Sequence, residues 1–494
     1  MIMKQIEARQ YEIVKFIFLK AANDIFKNCY VEVQNSLNNG AYSEMFYHET
    51  GEVKVLTYKE LDELKKRMDE IIAEDIPVKL ITDNIDELKK KAESLKRNDI
   101  KKMLENCGWV RLKEYSLGDY IDYFYIEPES SSGKVIDYEI YKYGKGIIFK
   151  TVAEVFDWHL PPHKDTPKIA KSFVERNNWE KSLGINFTSD INIKVFNDEI
   201  VEQILLDEAF HDRKVSEIAS EILANENIRV VTIAGPSSSG KTTLSKKLEL
   251  QLKTSCVETL AISLDNYYIG RKNVPLDENG EKDFETIEAL DLELLNKNLE
   301  ELIEGKETEL PIYNFYTGER EKRTRKVKLS RQGIIIIEGI HGLNDRLTEH
   351  VDRSKKYKIY ISCLTQTNTD VHNRIHTTDV RKIRRIARDS MSRETSGEQT
   401  LEMWNSIRRG EEKWIFPFQE EADAIFNSSF TYELCVLKPY AMKELMKIKA
   451  TSPVYEEAKK LASILNAFVH IDPNFIPIDS ILKEFIGGSI FYSY

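Results

Sequence analysis

The chain has 494 residues, of which 41% are apolar and 31% charged, and its formal net charge is −11. This length is enough for two to four domains with buried cores. The acidic balance argues against bulk nucleic acid or an anionic membrane as the main partner.

Cysteine usage and apolar patterning bear on the compartment. The five cysteines are scattered, odd in number and free of any CxxC pair, so neither a disulfide framework nor a thiolate zinc site is indicated. The N-terminus carries charges among its apolar residues, unlike a signal peptide. No window approaches the roughly 18 uninterrupted apolar residues that a membrane span needs. We therefore predict a cytoplasmic protein without a membrane partner.

The first 205 residues are predicted to hold two units. Residues 1–130 indicate a smaller α+β domain, with helices at 11–26, 58–72 and 85–107. Residues 131–205 indicate a β-rich connecting region, with strands at 135–141 and 146–150.

The remaining chain is predicted to be an α/β domain with an extension. Residues 206–440 alternate strands with helices, which is typical of a parallel sheet covered by helices on both faces. A helix at 208–225 is expected to lead into this domain, and residues 441–494 are expected to form a C-terminal helical extension.

A phosphate-binding loop is the strongest local signal. It fits the pattern G-x-x-x-x-G-K-[ST] with Gly235, Pro236, Ser237, Ser238, Ser239, Gly240, Lys241 and Thr242. A strand-like run precedes it and helical spacing follows, as the motif requires. The loop amides and the helix start attract an anion. We expect Lys241 to reach the β- and γ-phosphates, Thr242 to help coordinate Mg²⁺, and Thr243 to complete the nucleotide site. The alternative is a Gly/Ser-rich surface turn.

Two carboxylates follow later apolar strands. Asp265 comes after residues 261–264, and Glu338 comes after four consecutive isoleucines. Ligands bind at the carboxyl ends of such strands. Asp265 is therefore placed to accept a proton from an attacking hydroxyl, with a turn or N-cap role as the alternative. Glu338 is the expected Mg²⁺ partner, directly or through water.

Two basic runs follow different patterns. In the stretch 379–393, Arg381, Arg385 and Arg388 share one helix face and can close over a nucleotide, unless they form a solvated face. The stretch 320–331 carries seven lysines and arginines. We interpret it as a hairpin over the substrate, with a solvated face equally consistent, and count Arg320 with the substrate site.

Taken in order, these motifs resemble the uridine kinase and phosphoribulokinase family. The resemblance covers about residues 228–440 and includes the loop, Asp265-Asn266-Tyr267-Tyr268, residues 284–291, 311–315, Ile337-Glu338-Gly339 and 384–389. It implies that Asp265 is the general base and Glu338 the metal-side carboxylate. It also implies that the acceptor is held by Tyr268, Glu285 and Tyr313. The lid is implied to consist of Arg385, Arg388 and Arg393.

The chain departs from that family at the acceptor site. Glu285 stands where uridine kinases usually have an aspartate that grips the ribose hydroxyls, and Gly318 stands where a histidine usually reads the pyrimidine. Losing a buried polar reader is expected to change or relax specificity.

Further segments resemble a longer bacterial-type branch of the family. These are residues 370–381, 411–421 and 485–489, together with an N-terminal region similar to the additional domain of threonyl-tRNA synthetase at residues 56–61 and 67–77. The histidines of an editing site are not found there, since the first histidine is His48. We expect residues 1–130 to be an accessory fold without editing activity.

The sequence thus predicts a kinase that uses ATP (or GTP) and Mg²⁺ to phosphorylate a hydroxyl of a small molecule, a nucleoside or a sugar or polyol. One alternative is a nucleotide-gated module that binds RNA or a protein. A third reading is an RNA-directed kinase that holds its substrate through the N-terminal domain, although the net charge argues against nucleic acid. A homo-oligomer is compatible with the sequence. The sequence does not identify the molecule that accepts the phosphoryl group.

Overall fold

The computed structural model describes residues 2–95, 97–107, 112–276, 280, 282–314, 317–365 and 367–492. Its N-terminal part mixes helices with two antiparallel sheets. The elements are α1 (Ile2–Ile25), β1 (Cys29–Leu37), β2 (Gly40–Tyr47), α2 (Tyr58–Ala73), β3 (Val78–Thr82), α3 (Ile85–Ser94), α4 (Asn98–Asn106), β4 (Lys113–Leu117), β5 (Tyr120–Phe124), β6 (Tyr138–Tyr143) and β7 (Gly146–Thr151).

Local sequence explains several of these elements. Asn38 and Asn39 both have positive φ, 51° and 61°, as the tight turn between β1 and β2 requires. Thr57 and Glu60 form a capping box that starts α2. The α1 helix is buried on nearly every side from Ile13 to Ala22, since it packs between α2 and the sheets.

The structure differs from two N-terminal predictions. The predicted helix 85–107 is two helices, α3 and α4, because the break lets both bury apolar residues in one cluster with Leu112 and Tyr123. The expected boundary at residue 130 falls inside one sheet of order β1-β2-β7-β6, in which β2 pairs with β7. Residues 131–205 hold two strands followed by helices.

The second part begins with three helices and contains the parallel sheet. Its elements are α5 (Pro167–Ser182), α6 (Thr188–Phe196), α7 (Ile200–Leu223), β8 (Val230–Ala234), α8 (Lys241–Thr254), β9 (Thr259–Ser263), α9 (Leu292–Ile303), β10 (Thr308–Leu310), β11 (Tyr313–Asn314), β12 (Glu319–Arg320), β13 (Arg325–Val327), β14 (Ile334–Glu338), β15 (Lys356–Ser362), α10 (Thr377–Ser392), α11 (Gly397–Glu402), α12 (Trp404–Trp414), β16 (Ala424–Asn427), α13 (Glu433–Leu445), α14 (Tyr455–Asn466) and α15 (Lys483–Ile486).

The sheet has the order β16-β15-β8-β14-β9, and its strand pairs are parallel. Alternate residues of one strand enter different cores. Ile336 joins the core shared with α7, α8, α10 and α13, whereas Ile335 and Ile337 join the core shared with α9. The predicted α/β fold, a parallel sheet with helices on both faces after a smaller α+β part, is confirmed.

The C-terminal residues do not form a separate layer. Leu461, Leu465, Ile481 and Phe485 belong to the same core as α8 and α10. Within the residues that the structure describes, no helix combines the length and the apolar character needed to cross a membrane.

Candidate active site

The phosphate loop joins β8 to α8. A Cβ atom at position 235 would lie 2.0 Å from the carbonyl oxygen of Ile361, so only glycine fits there. Gly240 has φ +92°, a conformation that glycine adopts readily. The Lys241 ammonium donates to the carbonyl oxygens of Gly235 (3.0 Å) and Pro236 (3.1 Å). The lysine therefore closes over its own loop, at the positive end of α8.

Side chains from α10 and α12 hold the outer side of this loop. Arg381 donates from Nε to the Ser237 carbonyl oxygen (3.0 Å) and forms a buried ion pair with Glu411. Arg385 donates from Nη1 to Ser237 Oγ (2.7 Å). The Ser237 amide donates to Glu411 Oε1 (3.2 Å). The loop is thus fixed by two helices that follow it by more than 140 residues in the chain.

Parallel pairing brings the two predicted carboxylates beside the loop. Glu338, the last residue of β14, lies in register with Ile233 of β8 and with Ser263 of β9. Asp265 follows β9 in a 3-10 turn over residues 264–267. The carboxyl ends of three adjacent strands therefore carry the loop, Glu338 and Asp265.

The charges at this edge act on one another. Desolvation and then the Asp265 carboxylate raise the pKa of Glu338 to about 7, against the effect of Lys241. Asp265 is solvent-exposed. The protein around it still raises its pKa by desolvation, opposed by Lys241, Arg393 and Arg388. Desolvation lowers the pKa of Lys241, and Glu338 is the first carboxylate that opposes this.

The donor set fits a magnesium ion that accompanies a nucleotide. Mg²⁺ keeps several waters and takes one or two carboxylates plus substrate phosphates. The Glu338 carboxylate and the Thr242 hydroxyl at the start of α8 are oxygen donors of this type, and the repulsion between Glu338 and Asp265 favours a nearby cation. Among the described residues no group of three or more His, Cys, Asp or Glu side chains forms a metal site, so the protein alone offers no closed cage.

The predicted acceptor residues lie near one another and near Asp265. The rings of Tyr268 and Tyr313 lie 5.8 Å apart, and Tyr268 Oη donates to the Phe284 carbonyl oxygen (3.2 Å). Desolvation and then Glu411 raise the pKa of Glu285 to about 7, whereas Arg385 and Lys241 lower it. Glu285 therefore lies between the loop and α12. Phe315, which belongs to one of the resembling segments, lies outside the described residues.

Comparison with known proteins identifies the family. A sequence model of the "Phosphoribulokinase / Uridine kinase family" matches residues 230–434. A uridine kinase of Staphylococcus epidermidis (strain ATCC 35984) is 32% identical over 198 residues, which is 40% of this chain and 86% of that protein. A uridine kinase of Clostridium botulinum (strain Kyoto / Type A2) matches with the same identity and coverage. The chain belongs to the phosphoribulokinase/uridine kinase family.

The family membership rests on these sequence matches. A solved structure described as a possible uridine kinase from Bacillus stearothermophilus aligns with a TM-score of 0.31 and 20% identity, over 43% of this chain and 98% of that one. The family match begins at residue 230. The resemblance of the N-terminal region to a synthetase domain therefore stays a prediction.

The predicted lid arginines of this family member are unequally placed. Arg385 is bonded to the loop, and its Nε lies 3.1 Å from Asp389. Arg388 is nearly buried and its Nη2 lies 2.7 Å from Asp389, while Arg393 is half-exposed with its Nε 3.7 Å from the same carboxylate. Asp389 thus gathers the three guanidinium groups beside the phosphate loop.

In the second basic run, Arg320 differs from the residues that follow it. Arg320 donates to the carbonyl oxygens of Tyr267 and Tyr268 and to Asp291, each at 2.9 Å, so its guanidinium ties the β11–β12 hairpin to the Asp265 turn. The lysines and arginines at 322–328 are exposed, which agrees with the solvated-face alternative. Gly318 closes the hairpin at φ +71°.

Sequence reasoning missed residues that act from a distance. His341 is buried close to Glu285, and desolvation lowers its pKa to about 4, so it is neutral at pH 7. From elements far along the chain, Glu411 accepts a hydrogen bond from the Ser237 amide of the loop, and Glu484 accepts one from the Thr243 hydroxyl in the first turn of α8. Two sequence signals were usable: His341 lies three residues after Glu338, and Glu411 begins the resembling segment 411–421.

Proposed function

We propose that this protein is a Mg²⁺- and nucleotide-dependent kinase, with ATP as the expected donor. It transfers the γ-phosphoryl group to a hydroxyl of a small molecule, a nucleoside or a sugar or polyol. The observation that carries the proposal is that Lys241, Glu338 and Asp265 lie close together at the carboxyl ends of three adjacent strands. Family membership supports the same reaction class.

Each residue has a separate role in this proposal. The loop amides and Lys241 bind the phosphates, and Thr242 and Glu338 hold Mg²⁺, which neutralises charge on the phosphates when it is bound. Asp265 accepts the proton of the acceptor hydroxyl. The raised pKa of Asp265 brings its carboxyl closer to the working pH, as a general base requires.

Charge stabilisation is the proposed task of Arg385, Arg388 and Arg393. Their guanidinium groups are held together by Asp389, near both the loop and Asp265. Preorganised cations of this kind stabilise the transferring phosphoryl group.

The acceptor is proposed to lie between Tyr268, Tyr313 and Glu285. Glu285 is longer than the aspartate usual in uridine kinases, and the hairpin glycine at 318 carries no side chain to read a base. We therefore expect an acceptor specificity that differs from that of a strict pyrimidine nucleoside kinase.

The test is nucleotide turnover by the purified full-length protein with Mg²⁺ across nucleosides, sugars and polyols. We expect one acceptor class to raise turnover. Asp265→Asn should reduce that turnover by about 10²- to 10⁴-fold while nucleotide binding persists, and Lys241→Ala should weaken both. If nucleotide binds and no acceptor raises turnover above the Lys241→Ala background, the small-molecule kinase proposal fails and a nucleotide-gated binding module replaces it.

A further inference from the structure

The C-terminal segment 479–492 returns to the helix that follows the phosphate loop. Asp479 lies 3.0 Å from the Lys247 ammonium. Ile481 packs against Gly240, where an added Cβ would lie 2.5 Å from Ile481 Cγ2. Positions 240, 243 and 247 are three and four residues apart, so they share one face of the start of α8. The segment therefore covers this face of the helix.

Thr243 forms hydrogen bonds with the C-terminal segment. Its Oγ1 donates to Glu484 Oε2 at 3.0 Å, and the Tyr492 hydroxyl lies 2.8 Å from the same Oγ1. An ionised carboxylate only accepts hydrogen bonds, so the single Thr243 proton points to Glu484 and the oxygen accepts from Tyr492. Thr243 itself is fully buried. The two bonds hold its side chain in one rotamer.

The residues around Glu484 are held in place by buried apolar packing. Ile481, Leu482 and Phe485 have at most 1% of their surface exposed, and Phe485 packs below the guanidinium of Arg384, 5.0 Å from ring centre to Cζ. After α15 the chain turns at Gly487 and Gly488, both with positive φ, which brings Tyr492 back to Thr243.

We propose that residues 479–492 form part of the nucleotide-binding site, with Glu484 as a positioning residue that holds Thr243 and the first turn of α8 for the nucleotide. The inference rests on the nucleotide-binding half of the proposed function and deepens it. The hydrogen bond to a carboxylate is charge-assisted, which makes it stronger than a neutral bond. The charge of Glu484 also acts on Lys241 and Glu338, so the residue lies within electrostatic reach of the phosphate site.

The experiment measures nucleotide affinity without an acceptor, by displacement of a fluorescent ATP analogue from the full-length protein, with and without Mg²⁺. Glu484→Ala should weaken binding about tenfold, the value of one lost hydrogen bond to a charged group. Thr243→Val should have a similar effect, and the double variant should be no weaker than either single variant. Glu456→Ala, an exposed glutamate on α14 paired with Lys459, is the matched control and should bind as the wild type does.

Conservative variants separate the contact from the charge. Glu484→Gln keeps an acceptor oxygen and should bind within about threefold of the wild type, whereas Glu484→Asp keeps the charge but shortens the reach and should weaken binding. Glu484→Asp also carries the test if Glu484→Ala does not fold.

Three results would overturn the inference. They are unchanged affinity together with a lower melting temperature, additive losses in the double variant, and tighter binding by Glu484→Ala. A failed acceptor screen leaves this test intact, because the readout is binding alone. If the wild-type protein bound no nucleotide, the proposed function and this inference would both fail.

Discussion

At the scale of single residues, carboxylates and cations lie close together in the candidate site and shift one another's pKa. Desolvation raises the pKa of both Glu338 and Glu285 to about 7. A neighbouring carboxylate adds to each shift, Asp265 for Glu338 and Glu411 for Glu285. Desolvation lowers the pKa of Lys241, whereas Glu338, Glu484 and Asp265 stabilise its charged form. A nucleotide with its metal would add both charge signs, so binding is expected to reorganise this balance.

Glu285 gives a prediction for the acceptor side. Glu285→Gln should raise the KM for the acceptor by about tenfold, because a carboxylate that accepts a hydrogen bond from an acceptor hydroxyl is replaced by an amide, which is a weaker hydrogen-bond acceptor. Nucleotide affinity should change much less than the acceptor KM, since no hydrogen bond or ion pair among the described residues joins the Glu285 side chain to the phosphate loop. Steady-state kinetics and nucleotide titration measure the two quantities.

The matched control for Glu285 is Glu288→Gln. Glu288 is half-exposed and pairs with Arg346 at the surface, so this variant should leave both quantities unchanged. A change in nucleotide affinity for Glu285→Gln, with the acceptor KM unaltered, would contradict the assignment of Glu285 to the acceptor.

At the scale of elements, buried polar contacts fix helices to the parallel sheet region. Glu208 on α7 accepts from the Tyr432 hydroxyl at 2.9 Å, next to the start of α13. Only 6% of its surface is exposed, and desolvation raises its pKa to about 7. The folded protein therefore binds a proton here that the unfolded chain releases near pH 4.5.

This shift predicts a pH dependence of stability. Between about pH 4.5 and 7 the unfolded state binds fewer protons at Glu208 than the folded state, so this residue makes the free energy of unfolding fall as pH rises. Glu208→Gln should remove that contribution, which is about 1–3 kcal/mol across the window. Urea unfolding of both proteins at pH 5 and pH 7.5 measures the difference.

Subtracting the Glu208→Gln curve from the wild-type curve isolates this carboxyl from other titrating groups. His211, also buried on α7, has a lowered pKa and contributes with the opposite sign, but it is common to both proteins. Parallel pH curves for the two proteins would show that Glu208 is ionised in the folded state throughout the window.

At the scale of the whole molecule, a buried ionic cluster joins the N-terminal part to the segment after β15. Arg97 donates to Asp122 at 2.7 Å and to Asp99 at 3.0 Å, and its Nη2 lies 3.5 Å from Asp370. His372 Nδ1 lies 2.7 Å from Asp122. The Val33 amide donates to the Val371 carbonyl oxygen at 2.8 Å, which ties β1 to the same segment.

Arg97→Ala should therefore destabilise both parts together. It removes the guanidinium that pairs with Asp122 and Asp370, both fully buried, and the expected cost is about 3–5 kcal/mol. Calorimetry should show one unfolding transition that moves to lower temperature. Arg9→Ala, which breaks the partly exposed pair with Glu127, should cost less than about 1 kcal/mol. Two transitions, of which only one moves, would show that the parts unfold independently.

The sequence by itself determined the features that depend on local spacing and period. The loop motif, the isoleucine strand ending at Glu338 and the strand ending near Asp265 predicted the α/β fold and the edge where the site lies. Such signals are readable because the geometry of a parallel sheet brings the carboxyl ends of its strands to one edge.

Only the tertiary structure decided which distant residues complete the site. Glu411, Glu484 and the cluster around Arg97 lie far along the chain from their partners, and no periodicity marks a pair that meets only after packing. The sheet β1-β2-β7-β6 likewise crosses the expected boundary at residue 130, because antiparallel pairing between remote strands leaves no signal at a boundary. Packing of buried apolar residues brings these groups together, and this long-range burial is what local sequence does not encode.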